Sequence, residues 1–125
     1  MINKMSLEHT NISGLRVNYA LKTFHENDLI NDPYQQFAVW LNEAIETKAN
    51  EPNAMTLATV KTDGKPSARV VLLKGFSETG FVFFTNYQSH KGHELEHNPH
   101  VALVFCWLEL QRQVRIEGDC KENIS

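Results

Sequence analysis

Two short apolar runs lie close together in the middle of the chain, and cations stand at their ends. Residues 70–73 (VVLL) and 81–84 (FVFF) are β-branched, aliphatic or aromatic, which predicts two buried strands joined by a turn. Arg69 and Lys74 bracket the first run, and Lys91 follows the second. A hairpin of this kind would suit a flat, apolar ligand that carries a phosphate group.

The sequence on both sides of this hairpin predicts more short strands and two helices. Asp32 and Pro33 can start a helix over 33–48, whose apolar stripe recurs at helical spacing. A second, short helix is predicted from Ser89 to about residue 97. The stripe consists of Phe37, Trp40, Leu41, Ala44 and Ile45, with Glu43 on the wet side. Strands are predicted over residues 54–60, 67–74, 81–85, 100–107 and 111–118, with an Asp-Gly turn after the first.

This order of elements predicts a mainly β fold with flanking helices. Short strands joined by tight turns are typical of an antiparallel sheet or barrel. The length of 125 residues predicts one domain over 29–125, preceded by a polar arm over 1–28. Five strands close a barrel poorly, so a second copy or further chain is expected to cover the open edge.

Composition excludes several functional classes. The net charge of −3, with dispersed Lys and Arg, argues against a general nucleic-acid binder. No apolar stretch is long enough to span a bilayer, and the N-terminus has no signal-peptide pattern. Cys106 and Cys120 form no short motif and no disulfide framework. We therefore expect a reducing, cytoplasmic setting.

Strand parity separates the cations of the hairpin. Alternation places Arg69, Val71 and Leu73 on one face of the strand. It places Val70, Leu72 and Lys74 on the other face. The two cations would therefore contact different parts of a ligand. Both are also typical of positions at which a buried strand reaches water, and the residues alone leave this open.

The segment after the hairpin offers a second set of anion ligands. Thr85 carries a hydroxyl, Ser89 starts the short helix, and Lys91 lies in its first turn. Two or three such groups would hold a phosphate monoester, although an ordinary capped helix with a solvated lysine has the same sequence. In the last strand, Gln113 points away from the core layer, which suits a pocket, an interface or solvent equally.

Four histidines follow one another at helical spacing in the next segment. His90, His93, His97 and His100 could approach a metal ion together with Glu94. However, the chain has no HExxH motif and no paired cysteines, so we interpret the histidines as a solvated helix face.

Taken together, these residues resemble the FMN-dependent pyridoxamine 5′-phosphate (pyridoxine 5′-phosphate) oxidases. The resemblance runs from about Leu15 to about Lys121 and rests on DPYQQFAVWLNEA, AMTLATV, RVVLLKGFSETGFVFFTNYQSHK, NPHVALVFCW and QRQVRIEG. It implies a split β-barrel homodimer with FMN at the subunit interface. The implied reaction oxidises pyridoxamine or pyridoxine 5′-phosphate to pyridoxal 5′-phosphate in vitamin B6 metabolism, with dioxygen as acceptor and hydrogen peroxide as product.

The resemblance also assigns roles to individual residues. Arg16 and Tyr19 of the arm, together with Lys74, would contact the substrate, and Arg69 and Lys91 would lie near the FMN phosphate. No catalytic side chain and no metal ligand is implied, because the flavin carries the redox chemistry. The implied FMN contacts are Arg69, Val70, Val71, Leu72, Leu73, Lys74, Phe84, Thr85, His90, Lys91 and Gln113.

Two features depart from the family pattern. The family usually carries Arg at position 90, and a neutral His90 offers one donor where a guanidinium offers a charged fork, so a weaker and more pH-dependent phosphate affinity is expected. Family chains also continue well beyond Ser125, so we expect the barrel to be truncated before its C-terminal part. The alternatives are a non-catalytic flavin-binding or dimerisation module and an inactive truncated fragment.

Overall fold

The computed structural model describes residues 29–84, Leu95 and residues 97–121. Within these ranges an α-helix lies beside two antiparallel sheets, the larger with strand order β2-β1-β5-β6 and the smaller with β3-β4. The mainly β fold predicted from the sequence is confirmed. The elements are α1 (Pro33–Glu46), β1 (Ala54–Val60), β2 (Pro66–Leu72), β3 (Gly75–Ser77), β4 (Gly80–Val82), β5 (His100–Trp107), a 3₁₀ turn (Leu108–Leu110) and β6 (Arg112–Asp119).

Helix α1 begins as the sequence predicts and ends two residues earlier. The Asp32 carboxylate accepts a hydrogen bond from the Tyr34 N–H at 2.9 Å, and Pro33 occupies the first turn. The helix stops at Glu46 because Lys48 has a left-handed backbone, with φ of 57°. Ile45 was expected in the apolar stripe but is 53% exposed, so the stripe is narrower than predicted.

The hairpin at the centre of the sequence is built differently from the prediction. The strand predicted over 81–85 is confirmed at Phe81 and Val82, which belong to β4. Residues 75–77, expected to be part of a turn, form a strand of their own that pairs with Gly80–Val82. The chain reverses at Glu78 and Thr79, where the Ser77 hydroxyl accepts a hydrogen bond from the Thr79 N–H at 3.2 Å. Strand β2 correspondingly ends at Leu72 instead of Lys74.

Strand β6 also shifts by one residue from its predicted bounds. Gln111 was predicted to be the first residue of the strand, but its φ is 50°. Its N–H donates a hydrogen bond to the Leu108 carbonyl and so ends the 3₁₀ turn. Pairing with β5 therefore starts at Trp107 opposite Arg112 and ends at His100 opposite Asp119.

The core lies between α1 and one face of the larger sheet. Phe37 from the helix contacts rings of both sheets, with centroid distances of 4.9 Å to Phe76 and to Phe105 and 5.1 Å to Phe81. The Trp107 ring is buried, and its indole N–H donates to the Pro52 carbonyl at 2.8 Å. The aromatic cluster thus joins the helix, the four-stranded sheet and the small hairpin.

No helix among the described residues has both the length and the apolar character that crossing a membrane requires.

Candidate functional site

Strand β2 buries one face and exposes the other. Val71 and Leu73 belong to the core, whereas Val70 is 67% exposed and Leu72 is also exposed. The predicted parity of this segment is confirmed, but the prediction that the whole run is buried is wrong. The reason is that β2 is an edge strand of a sheet whose core lies on one side only.

Exposed apolar side chains continue from β2 into the segment after β4. Phe84 is 72% exposed and Val82 is exposed, so only Phe81 and Phe83 of the second run pack against the core. The Lys74 N–H donates to the Val82 carbonyl at 2.8 Å, and the Lys74 ammonium lies 5.8 Å from the centroid of the Phe84 ring. We call Val70, Leu72, Lys74, Val82 and Phe84 the Lys74 patch. It combines apolar surface with a cation, as the sequence predicted for this hairpin.

Arg69 lies on the opposite face of β2 from Val70, half-buried on the core side. Its Nη1 donates to the Thr59 hydroxyl at 2.8 Å and to the Leu57 carbonyl at 3.3 Å. Its Nη2 donates to the Ser67 hydroxyl at 3.2 Å. Arg69 is half-buried, and Lys74, two residues beyond the end of β2, is exposed, so the alternation of burial separates the two cations as parity predicted.

Gln113 is exposed, but the structure does not bring it to the Lys74 patch within one chain. Gln113 belongs to β6, at the edge of the sheet opposite to β2, and pairs with Cys106 of β5. Leu72 pairs with Ala54, and the β1–β5 register continues to place Ala54 opposite Cys106. Leu72 and Gln113 thus share one row across the sheet, separated by three strand spacings or about 14 Å.

The remaining predicted site residues cannot be placed. Arg16, Tyr19, Thr85, His90 and Lys91 lie outside the described residues. Of the predicted second helix, Leu95 and His97 are described and are helical.

His100 is engaged with a carboxylate at the end of the larger sheet. Its Nδ1 lies 2.6 Å from an oxygen of Asp119, across the last pair of β5 and β6. His90 and His93 are outside the described residues, and within the described part no three His, Cys, Asp or Glu side chains are placed to hold a metal ion.

The two cysteines are free and differ in environment. Cys106 is exposed on the same face as Gln113, while Cys120 is half-buried just after β6. Burial raises the pKa of the Cys120 thiol, because a thiolate is poorly solvated there.

Two arrangements were not singled out from the sequence. Thr59 is a polar residue with the parity of Met55 and Leu57, which are buried, and that mismatch is the signal that could have found it. Arg112 forms an ion pair with Glu43, which the helical pattern placed on the wet side. Because Glu43 and Arg112 are distant in sequence, no local pattern connects them.

The geometry defines a class of protein: an open, antiparallel, mainly β domain. A helix covers one face of the sheet, and a cation lies beside exposed apolar side chains. Residues 41–123 match the model of the pyridoxamine 5′-phosphate oxidase family. The chain belongs to this family.

Curated relatives carry the same name. Proteins called pyridoxine/pyridoxamine 5′-phosphate oxidase from Burkholderia vietnamiensis and Burkholderia cenocepacia are 56% and 57% identical over 109 residues, which is 87% of this chain. The chain spans about half the length of the curated relatives it matches, since the aligned part covers 51% of each of them.

Solved structures confirm the fold. PhzG from Burkholderia lata, solved with tetrahydrophenazine-1-carboxylic acid, superposes with a TM-score of 0.73 at 29% identity, covering 79% of this chain and 50% of that one. An FMN-binding protein related to pyridoxamine 5′-phosphate oxidase from Nostoc punctiforme has a TM-score of 0.62 at 22% identity, covering 73% of this chain and 47% of that one. The latter likeness concerns the fold alone.

Proposed function

We propose that this chain takes part in the FMN-dependent oxidation of pyridoxamine or pyridoxine 5′-phosphate to pyridoxal 5′-phosphate, with dioxygen as electron acceptor. The observation that carries the proposal is the family match over residues 41–123 together with the 56–57% identity to oxidases of that name. The aligned part covers 51% of those relatives, so the activity of the whole relative is a proposal for this chain.

The described residues fit a flavin mononucleotide. The isoalloxazine ring is flat and largely apolar, and the Lys74 patch offers exposed apolar side chains in Val70, Leu72 and Phe84. The phosphate needs a cation, and Arg69 and Lys74 supply cations at the two ends of the segment. When bound, FMN would supply the redox chemistry by accepting a hydride equivalent from C4′ of the substrate and passing the electrons to dioxygen.

The protein side chains would bind and orient. We assign Arg69 to the phosphate end of the cofactor, and Lys74 to the point at which cofactor and substrate meet. Val70, Leu72 and Phe84 would exclude water from the ring, which strengthens the polar contacts around it. The backbone of Val71 and Leu73 would complete the wall, because their side chains are occupied in the core.

The residues outside the described ranges complete the proposed site. Thr85, His90 and Lys91 are assigned to FMN, with Lys91 on its phosphate, and Arg16 and Tyr19 are assigned to the substrate. These roles rest on the family membership.

A homodimer accounts for the separation of Gln113 from the Lys74 patch. Three strand spacings divide Leu72 from Gln113 in one chain, so we propose that the flavin lies at a subunit interface. Exposed apolar groups such as Val70 and Phe84 are typical of such an interface. A cytoplasmic setting is proposed as well, and the two free thiols are compatible with it.

Flavin titration and a peroxide assay test the proposed function. The purified chain should bind FMN, seen as quenching of flavin fluorescence, and release hydrogen peroxide when pyridoxamine 5′-phosphate and dioxygen are supplied. Lys74→Met should weaken FMN binding by about tenfold, the loss of one charge-assisted contact. Lys65→Met is the matched control, since Lys65 is an exposed lysine of the β1–β2 turn and should leave the affinity unchanged.

The outcomes separate the candidate functions. Flavin binding with peroxide release supports the oxidase. Flavin binding without peroxide release favours a non-catalytic flavin-binding or dimerisation module. A folded chain that binds no FMN at micromolar concentrations contradicts the proposal, and an aggregated chain that FMN does not rescue favours an inactive fragment.

A further inference from the structure

We propose that Asn53 is a positioning residue for Lys74. Its side-chain amide holds the peptide group that joins Leu73 to Lys74, and so sets where the lysine ammonium meets a bound flavin. The role of Lys74 toward FMN rests on the proposed function. The positioning itself rests on the hydrogen bonds around Leu73 and Lys74.

The register of β1 and β2 brings Asn53 beside the chain that follows β2. Ala54 pairs with Leu72, so the next position along each strand places Asn53 opposite Leu73. The Leu73 N–H donates to the Asn53 carbonyl at 2.8 Å, and the Leu73 carbonyl accepts at 3.3 Å from the Asn53 side-chain amide. In a regular antiparallel pair the backbone supplies both bonds. Here a side chain supplies the second one, so the residue type at position 53 matters.

The small sheet holds the same peptide group from its other side. The Leu73 carbonyl and the Lys74 N–H belong to one planar trans unit and point in opposite directions. The Lys74 N–H donates to the Val82 carbonyl of β4 at 2.8 Å, while the Asn53 amide donates to the Leu73 carbonyl. These two bonds fix the plane of the peptide, and with it the direction in which the Lys74 side chain leaves the backbone.

A fixed backbone matters at this position because the lysine side chain is long and exposed. Leu73 is anchored in the core with 6% exposure, whereas Lys74 is exposed and its ammonium lies 5.8 Å from the centroid of the Phe84 ring. A cation–π contact at an exposed site is weak, and the lysine stem has several rotatable bonds. Holding the backbone beneath it reduces the conformational freedom that is lost when an anion binds.

A double-mutant cycle separates the positioning of Lys74 from the stability of the sheet. We expect Asn53→Ala to weaken FMN binding by about fivefold, less than the roughly tenfold loss in Lys74→Met, because the lysine is displaced but not removed. In a Lys74→Met background, Asn53→Ala should change the FMN affinity by less than about 1.5-fold, since the residue through which it acts is absent.

Two further variants test the hydrogen bond itself. Asn53→Leu keeps the volume of the side chain but lacks the donor, so it should weaken FMN binding as Asn53→Ala does. Asn42→Ala is the matched control, because it removes a side-chain amide that donates to the Glu46 carboxylate at 3.1 Å on the exposed surface of α1. It should leave the FMN affinity unchanged.

A second measurement needs no flavin. Nuclei above an aromatic ring resonate upfield, so Phe84 should shift the signals of the Lys74 methylene group next to the ammonium in ¹H–¹³C NMR spectra. Loss of these signals in Lys74→Met assigns them, and Phe84→Leu should remove the shift. Asn53→Ala and Asn53→Leu should reduce the shift, and Asn42→Ala should not.

Each outcome decides a stated part of the inference. Lys74 signals that are unchanged in both Asn53 variants, or that Phe84→Leu does not move, would overturn the positioning. A loss of FMN affinity in Asn53→Ala that is equal with and without Lys74, or that is absent in Asn53→Leu, would overturn the role toward the cofactor. A wild-type chain that binds no FMN contradicts the proposed function, while the Lys74 signals still decide the positioning.

Discussion

Arg112 is held on two sides at the start of β6. Its Nη1 is 2.5 Å from a Glu43 carboxylate oxygen, and its guanidinium carbon lies 5.0 Å from the centroid of the Trp40 ring. The side chains of Arg112 and Glu43 are 11% and 22% exposed, so the pair is largely desolvated. This contact ties α1 to β6, and removing one partner leaves a poorly solvated charge.

We therefore predict that Arg112→Met lowers the free energy of unfolding by about 2 kcal/mol, less than the ~3–5 kcal/mol of a fully buried pair because Glu43 retains some solvent. Urea denaturation measures the change. Arg115→Met on the exposed side of the same strand is the control, with an expected effect within about 0.5 kcal/mol. Adding Glu43→Leu to Arg112→Met should recover part of the loss, and no recovery would argue against the unpaired charge as its cause.

For single residues, the alternation in the sequence predicted on which face of a strand a side chain lies. It did not predict which residues that side chain contacts. Alternation placed Arg69 and Val70 on opposite faces of β2, and the alternating burial along the strand agrees. That Arg69 reaches Thr59 depends on how β1 pairs with β2, which alternation within one strand does not contain. Glu43 shows the same limit, since its position on the helix predicted solvent and Arg112 of a distant strand changed its environment.

Among the elements, the β1–β2 hairpin depends on the conformation of one glycine. Gly64 has φ of 86°. The turn is closed by a hydrogen bond of 2.8 Å, which the Lys61 N–H donates to the Lys65 carbonyl. The Asp63 carboxylate accepts the Lys65 N–H at 3.0 Å. A Cβ at position 64 would have open space around it, so the backbone angle alone would disfavour a side chain.

Gly64→Ala should therefore destabilise the fold by about 1 kcal/mol, because alanine disfavours positive φ. Gly118→Ala is the matched control, since Gly118 has an ordinary φ and equally open surroundings, and its effect should be close to zero or slightly stabilising. Thermal and urea unfolding of both variants measure the difference. Equal effects at the two positions would show that the backbone angle of Gly64 is not the cause.

Elements whose start and periodicity are encoded within one segment of the sequence were predicted well. Elements that form only by pairing with another strand were not. Helix α1 has a cap, a first-turn proline and a periodic stripe, all within one segment. By contrast, the small β3–β4 sheet was missed because two three-residue strands are too short for alternation to be read. The exposure of Val70 and Phe84 was missed because a run of apolar residues does not say how many faces the sheet buries.

At the scale of the whole molecule, the Phe37 side chain packs between helix α1 and the two sheets. It is 4% exposed and contacts rings from β3, β4 and β5. We predict that Phe37→Ala costs about 4 kcal/mol of stability by lost burial and a remaining cavity. Val39→Ala, on the exposed side of the same helix, should cost less than about 0.5 kcal/mol.

The same variant tests whether the two sheets fold as one unit. Far-ultraviolet circular dichroism and tryptophan fluorescence should report one common urea transition in wild type, and Phe37→Ala should move both signals together. Separate transitions would contradict a shared core and would make the small hairpin an independent element.

The amino-acid sequence by itself determined the start of α1, the alternation of β2, the Asp-Gly turn and the family, because each is encoded in neighbouring residues or in the order of motifs along the chain. Only the tertiary structure decided the strand order β2-β1-β5-β6, the distance of Gln113 from the Lys74 patch, and the contact of Arg69 with Thr59. These depend on which distant strands pair and in which register. That choice minimises the free energy of the whole sheet and helix together, and no single segment carries it.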